Sequence, residues 1–232
     1  MEINEHKTNM SNIKYPRTYH LPFSPGTTKD DKKLQDDWFS FYKDQYIVIT
    51  EKLDGENTTL CQEGVFARSH TTPTHSPWSV NLWGENGIYW HAKSFIGKNE
   101  YVIGENLYGI HSIEYDKLTD YFHIFATHDD NRWYSWEEVE ELAEILEIPT
   151  VPVLYKGIVQ SEEQVREIIE HLMQYPSTYG KTKEGVVMRI ACSFKLDDFP
   201  HYVCKYVRAN HVQTDEHWTK NWQKATLITD TI

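Results

Sequence analysis

The sequence predicts an α+β domain with antiparallel sheets flanked by helices, and three observations carry that expectation. Short β-type runs recur at 46–51, 58–62, 64–68, 101–105, 121–127, 185–190 and 201–207, rich in Val, Ile, Tyr and Phe and bounded by Gly, Asn or Asp. Strands outnumber helices and do not alternate with them, unlike the pattern of a parallel sheet. The 232 residues, 39% hydrophobic and 14% aromatic, are enough for a folded core and too apolar for a disordered chain.

Each element has a local reason. Ser135-Trp136-Glu137-Glu138 opens one helix as a capping box, and Val139, Leu142, Ala143 and Leu146 follow as its apolar stripe. Ser161-Glu162-Glu163-Gln164 opens a second, with Val165, Ile168, Ile169 and Leu172 on one face. In Tyr121-Phe122-His123-Ile124-Phe125 strict alternation would put Tyr121, His123 and Phe125 on one face. Residues 1–45 are polar and turn-rich, with Pro16, Pro22, Pro25 and Gly26, and read as an irregular lead-in.

Composition narrows the function. A net charge of −12 argues against a protein that coats nucleic acid indiscriminately. Cations cluster between Lys181 and Arg208, at Lys181, Lys183, Arg189, Lys195, Lys205 and Arg208, so any nucleic-acid surface is expected there as a patch. Cys61, Cys192 and Cys204 are odd in number and widely spaced, which predicts reduced core thiols in the cytoplasm. No apolar stretch approaches the roughly 20 residues that span a bilayer, and no secretory signal opens the chain, so no membrane partner is expected.

The chemistry concentrates on Lys52, in Glu51-Lys52-Leu53-Asp54-Gly55 after the run Tyr46-Ile47-Val48-Ile49-Thr50. A lysine with its ordinary pKa offers about one unprotonated amine in a thousand at neutral pH. As a nucleophile it is therefore expected to have a lowered pKa, set by cations such as Lys205 and Arg208 or by a metal. Gly55 would allow a tight turn after Asp54. Glu105 and Glu184 stand beside apolar runs, where charge is costly unless a metal or hydroxyl engages it. Among the aromatic residues, Phe125 is the candidate to stack on a purine. His70, His75, His111 and His123 lack the helical spacing of a metal site, and His20 or His111 could lie near phosphates.

Taken in order, these elements resemble the covalent nucleotidyltransferase superfamily of ATP-dependent RNA and DNA ligases and GTP-dependent capping enzymes. The carriers are the lysine motif, Ala67-Arg68-Ser69, Gly104-Glu105-Asn106-Leu107-Tyr108-Gly109, Glu184-Gly185-Val186-Val187-Met188-Arg189 and Lys205-Tyr206-Val207-Arg208. Tyr15-Pro16-Arg17-Thr18-Tyr19-His20-Leu21 and the run from Gly104 to Tyr115 are especially similar to RNA ligases of the phage nick-sealing group. The resemblance covers about residues 15–212. It implies an ATP-grasp-like adenylation domain and an ATP-dependent, AMP-forming RNA ligase acting in RNA repair. Lys52 would form lysyl-AMP, pass the AMP to an RNA 5′-phosphate and allow sealing to a 3′-hydroxyl. Glu51 would lie near the adenine, Asn57 near the phosphates and Arg68 at the ribose, with Phe125 stacked on the base. Glu105 would engage the ribose or the metal, Glu184 would help to hold that Mg2+ or Mn2+, Lys205 would bind the α-phosphate and Arg208 a further phosphate.

The chain departs from that pattern where Val207 replaces a second lysine and where Ala126-Thr127 follow Phe125. Too few residues follow Arg208 for an OB-fold or helical domain. One adenylyltransferase domain over 1–232 is expected, and a separate end-processing kinase/phosphatase is a plausible companion. A small DNA nick-sealing ligase is the alternative within the superfamily, with a capping guanylyltransferase behind it. A nucleotide- or RNA-binding module without turnover is the alternative outside it.

Overall fold

The computed structural model describes residues 14–68, 71–210 and 219–231. His70 and Ser69 of the expected motifs lie outside the described residues. In chain order the strands are β1 (Tyr19–His20), β2 (Tyr46–Lys52), β3 (Glu56–Cys61), β4 (Gly64–Ala67), β5 (Glu100–Asn106), β6 (Phe122–Asp129), β7 (Arg132–Trp133), β8 (Val153–Ile158), β9 (Gly185–Ile190), β10 (Phe194–Lys195) and β11 (Val203–Val207). The helices are α1 (Val80–Trp83), α2 (Ile88–Ala92), α3 (Trp136–Ile145), α4 (Glu162–Met173) and α5 (Phe199–Tyr202).

Two sheets form the frame. One has the order β1-β11-β9-β2-β8 and the other β10-β7-β6-β5-β3-β4. All strand pairs are antiparallel except β1 on β11, so the first sheet is mixed. Strand β2 passes into β3 through Leu53-Asp54-Gly55, so this connector carries the chain from one sheet to the other.

One large buried cluster gathers Leu21, Trp38, Tyr42, Ile47 and Ile49 with residues of β9 and β11. A second gathers Val48, Leu60, Val102, Ile124, Trp136 and Val139. Helix α3 has the expected reciprocal capping box, with Ser135 Oγ accepting from the Glu138 N–H and the Glu138 side chain accepting from the Ser135 N–H. Helix α4 opens on Ser161, whose hydroxyl accepts from the Gln164 N–H, while the Gln164 side chain caps the Gln160 N–H instead.

Three expectations change. From residue 14 on, the lead-in is irregular apart from β1 and a 3-10 turn over Trp38–Phe41, yet it contributes to the core: Leu21 and Tyr42 are fully buried. Strand β8 escaped the sequence pattern because it is an edge strand. Its exposed side tolerates Lys156 and Gly157, which break the apolar alternation. Of the three cysteines, Cys61 and Cys204 are buried but Cys192 is exposed.

Leu21→Ala is expected to lower stability by about 2–5 kcal/mol in urea unfolding, the usual range for a truncated core leucine. A change below about 0.5 kcal/mol would mean that the lead-in rests on the surface.

Candidate active site

The register of the first sheet sets the site. On β9, Gly185 pairs with Lys52 of β2 on one side and with Val207 of β11 on the other. One row along, Val187 pairs with Thr50 and with Lys205. Glu184, immediately before β9, therefore stands beside Lys52, and its Oε2 accepts from the lysine Nζ at 2.6 Å. On the second sheet Asn57 of β3 pairs with Glu105 of β5, which brings both to the same end of that sheet.

Between the sheets lies a cavity of about 760 Å³ lined by Lys52, Glu184, Lys205, Glu51, Asn57, Arg68, Glu105 and Phe125. Of the expected site residues, Arg208 alone is not in its lining. Its backbone N–H donates to the Glu184 carbonyl instead, which ties the end of β11 to the start of β9. The missing second lysine has a packing explanation. Val207 is buried under the lead-in, its carbonyl accepting from the Gly26 N–H at 2.9 Å and its N–H donating to Ser24 Oγ at 3.0 Å.

The connector after Lys52 is held by contacts rather than by a left-handed turn. A Cβ on Gly55 would come within 2.5 Å of the Asn106 carbonyl oxygen. The Gly55 N–H donates to Glu105 Oε1 at 2.9 Å. Asp54 is a clamp: its Oδ2 accepts from the N–H groups of Ser112 and Ile113 and from the Ser112 hydroxyl. Glu51 is buried, accepting from Ser177 Oγ at 2.5 Å and from the Thr178 N–H at 2.9 Å. Its carboxylate thus fixes β2 against the 177–179 loop.

Phe125 reaches the cavity through a β-bulge. Across β5 and β6, Ile103 pairs with Ala126 and Gly104 with Ile124, leaving Phe125 as the extra residue, re-aimed by the bulge. Tyr15 meets its edge at 5.0 Å in a T-shaped contact. The expected common face of Tyr121, His123 and Phe125 does not form. His123 is buried against the Tyr179 hydroxyl, and the Tyr121 hydroxyl donates to the Ala225 carbonyl.

The charges behave differently from the expectation for a free nucleophile. Burial works against the Lys52 ammonium, but the Glu184 and Glu105 carboxylates outweigh it and hold the pKa above the ordinary lysine range. In the cavity lining, Lys205 is pushed down to about 8 by burial and by the Lys52 charge. Glu105 is pushed up to about 8 by burial, with Glu184 adding to the effect and Lys52 opposing it. His20 lies behind the lining, driven down to about 4 by burial and the Lys205 charge, while His111 lines the cavity.

Two cations expected on a surface patch are instead structural. Lys183 is buried and donates to the Leu172 carbonyl, and buried Arg189 donates to the carbonyls of Ile190 and Tyr134. Arg189 still lines the cavity. The sequence also gave no sign that Asp31, Trp78 and Ser112 reach the lining. Asp31 sits in an ordinary-looking charge run and reaches the site through the β1–β11 pairing.

The donor set fits a divalent cation in part. Glu105 and Glu184 are like charges in a dry site, a cost that a hard cation relieves. Among the described residues no three His, Cys, Asp or Glu side chains cluster to hold an ion by themselves. Further ligands would be phosphate and water oxygens.

Glu105 gives a pH signature. Its folded pKa exceeds its unfolded one, so the folded state holds the extra proton between the usual glutamate range and pH 8. This contribution makes stability fall as pH rises through that window. Metal-free protein is expected to lose melting temperature from pH 5 to about 8, less steeply in Glu105→Gln. Identical pH slopes in the two proteins would contradict the assigned environment.

The RNA ligase family model matches residues 45–207. Among curated proteins no match was found. Similar solved structures include a Naegleria gruberi RNA ligase mutant with ATP and Mn, at 18% identity and TM-score 0.54, covering 84% of this chain and 60% of that one. An archaeal ATP-dependent RNA ligase is similar at 15% identity and TM-score 0.56, covering 84% and 48%. A putative ATP-dependent DNA ligase from Aquifex aeolicus is similar at 17% identity and TM-score 0.51, covering 84% and 50%. The chain thus spans about half to three fifths of those proteins' lengths, and the likenesses show a shared α+β fold. By the match over most of its length, the chain belongs to the RNA ligase family.

Proposed function

We propose that the protein is an ATP-dependent RNA ligase that charges Lys52 with AMP, passes the AMP to an RNA 5′-phosphate and seals that end to a 3′-hydroxyl. The observation that carries this reading is the Lys52 ammonium, 2.6 Å from Glu184 in a cavity shared with Lys205, Glu105 and Arg68. Family membership and the neighbouring RNA ligases, one of them solved with ATP and Mn, support the same reading.

In the first step the Lys52 Nζ forms a bond to the α-phosphorus of ATP, the bond to the pyrophosphate oxygen breaks, and pyrophosphate leaves. The ammonium must lose a proton before attack, and Glu184 Oε2 is the acceptor already in contact. Lys205 would pair with the α-phosphate, which restores the charge that burial disfavours. Phe125 would stack on the adenine, Glu51 would lie beside it and Arg68 would contact the ribose. Asn57 suits the phosphates, because its side-chain amide can donate an N–H to a phosphate oxygen and its buried Oδ1 has no hydrogen-bond partner among the described residues. Mg2+ or Mn2+ bound by Glu105 and Glu184 would supply charge neutralisation at the phosphates.

In the second step a terminal phosphate oxygen of the RNA takes the adenylyl group from Lys52, forming a 5′–5′ pyrophosphate linkage and returning the amine. In the third a 3′-hydroxyl oxygen attacks the RNA 5′-phosphorus, expelling AMP and releasing the hydroxyl proton. Such transfers depend on positioning and charge stabilisation. A separate kinase/phosphatase would prepare the ends.

Incubation with α-phosphate-labelled ATP and Mg2+ is expected to label the protein on Lys52, and Lys52→Ala to abolish the label. Glu184→Gln is expected to slow labelling by about 100-fold or more, the scale of a lost proton acceptor. Labelling by GTP in place of ATP would overturn the reading. Sealing of nicks with a DNA 3′-hydroxyl strand, and not with an RNA one, would favour the DNA ligase alternative.

A further inference from the structure

The cationic patch expected between Lys181 and Arg208 is depleted by the burial of Lys183 and Arg189. A different basic and aromatic surface stands at the cavity rim, built from the segment that starts at residue 219. Thr219 and Trp78 both line the cavity. Trp222 meets Trp78 edge to face, with ring centroids 6.5 Å apart, and leans on Tyr108 at 6.0 Å and 33°. Tyr108 in turn meets Tyr121 at 4.9 Å. The Lys224 Nζ lies 5.4 Å from the Tyr108 ring and 5.5 Å from that of Tyr121. Lys220 and Lys224 are exposed, whereas Trp78, Tyr108 and Trp222 are half-buried.

The segment does not need Trp222 to stay in place. Its backbone is paired along the body of the protein: the Gln223 carbonyl accepts from the Ile110 N–H, the Ala225 N–H donates to the Tyr108 carbonyl, and the Ile228 N–H donates to the Leu118 carbonyl. Ala225 is buried in the second core cluster, and Leu227 packs against it. The anchoring is therefore done by Ala225, Leu227 and the backbone. The indole of Trp222 and the charges of Lys220 and Lys224 remain at the surface, beside a cavity with an exposed Arg68 in its lining. On a chain of net charge −12, two exposed lysines among clustered aromatic rings suit a flexible polyanion with planar bases.

We propose that Trp78, Trp222 and Tyr108, with Lys220 and Lys224, form a track for the single-stranded RNA next to the end that enters the cavity. The rings take bases by stacking, which is sequence-tolerant, and the lysines take phosphates. Continuity carries the choice of occupant, because Trp78 and Thr219 belong both to the cavity wall and to the track. The proposal rests on the RNA ligase reading and deepens it, since this segment follows the region matched by the family.

The test uses a short 5′-phosphorylated oligoribonucleotide carrying thiouridine near its end, with the full chain. Ultraviolet crosslinking to wild-type protein is expected to map to Trp78, Tyr108 or the 219–231 peptide. Trp222→Ala is expected to weaken binding of the oligonucleotide by about tenfold or more, and Trp222→Phe to retain most of it. Lys224→Gln is expected to reduce the slope of log affinity on log salt by roughly one. Crosslinks confined to other surfaces would overturn the track, as would binding by folded Trp222→Ala within about twofold of wild type. Lysyl-AMP labelling separates the two levels. A protein that labels with ATP but does not crosslink at the track refutes the track alone. One that crosslinks there but takes no label refutes the ligase reading alone.

Discussion

The position of β9 between β2 and β11 is the constraint on which the site depends. Pairing Gly185 with Lys52 places the Glu184 carboxylate at the lysine amine, and pairing Val187 with Lys205 brings the second lysine to the same side. The sheet can close so tightly because residue 185 is glycine: a Cβ there would collide with the Tyr206 carbonyl oxygen. A one-residue slip of β9 would reverse its faces and move Glu184 off Lys52. Glu184 is 1% exposed and Lys52 22%, so removing either partner strands the other's charge in a dry site.

Around that pair, charge is balanced by neighbours more than by solvent. Two lysines and two carboxylates share a small space, and the pKa changes follow from who stands beside whom. Lys52 has both carboxylates beside it and stays charged, whereas burial first, and the Lys52 charge second, make Lys205 lose its proton more readily. Glu105 is the odd carboxylate, accepting from the Gly55 N–H and raised by burial. The proposed ATP, with its cation, would offset these charges. The cavity lining is therefore complementary to a ligand that carries charge of both signs.

The sequence was informative where strand, motif and spacing coincide. The strands bearing Lys52, Glu105 and Lys205, and the strand that Glu184 precedes, lie near their expected positions, and those side chains meet in one cavity. It was silent where the decisive partner is distant in the chain. The lysine expected to lose basicity was Lys52, because the sequence shows the cations but not that Glu184 would be its nearest neighbour. Asp31 reads as part of a solvated charge run until β1 is seen on β11. Lys183 and Arg189 read as surface cations because β-alternation does not reveal which side of a sheet is covered. The bulge that turns Phe125 toward the cavity likewise depends on β5 opposite it.

The order in which these strands lie along the chain has a consequence for how the protein comes into being. Strand β2 occupies an inner place in its sheet, but its neighbours β8 and β9 lie roughly a hundred or more residues further on, and the lead-in strand β1 must wait for β11. Pairings this remote require large loops to close, which slows assembly. During synthesis Lys52 would therefore emerge long before Glu105, Glu184 and Lys205. A growing chain would lack the assembled cavity until nearly all of the sheet had left the ribosome, so the proposed covalent step at this amine would wait for the complete sheet.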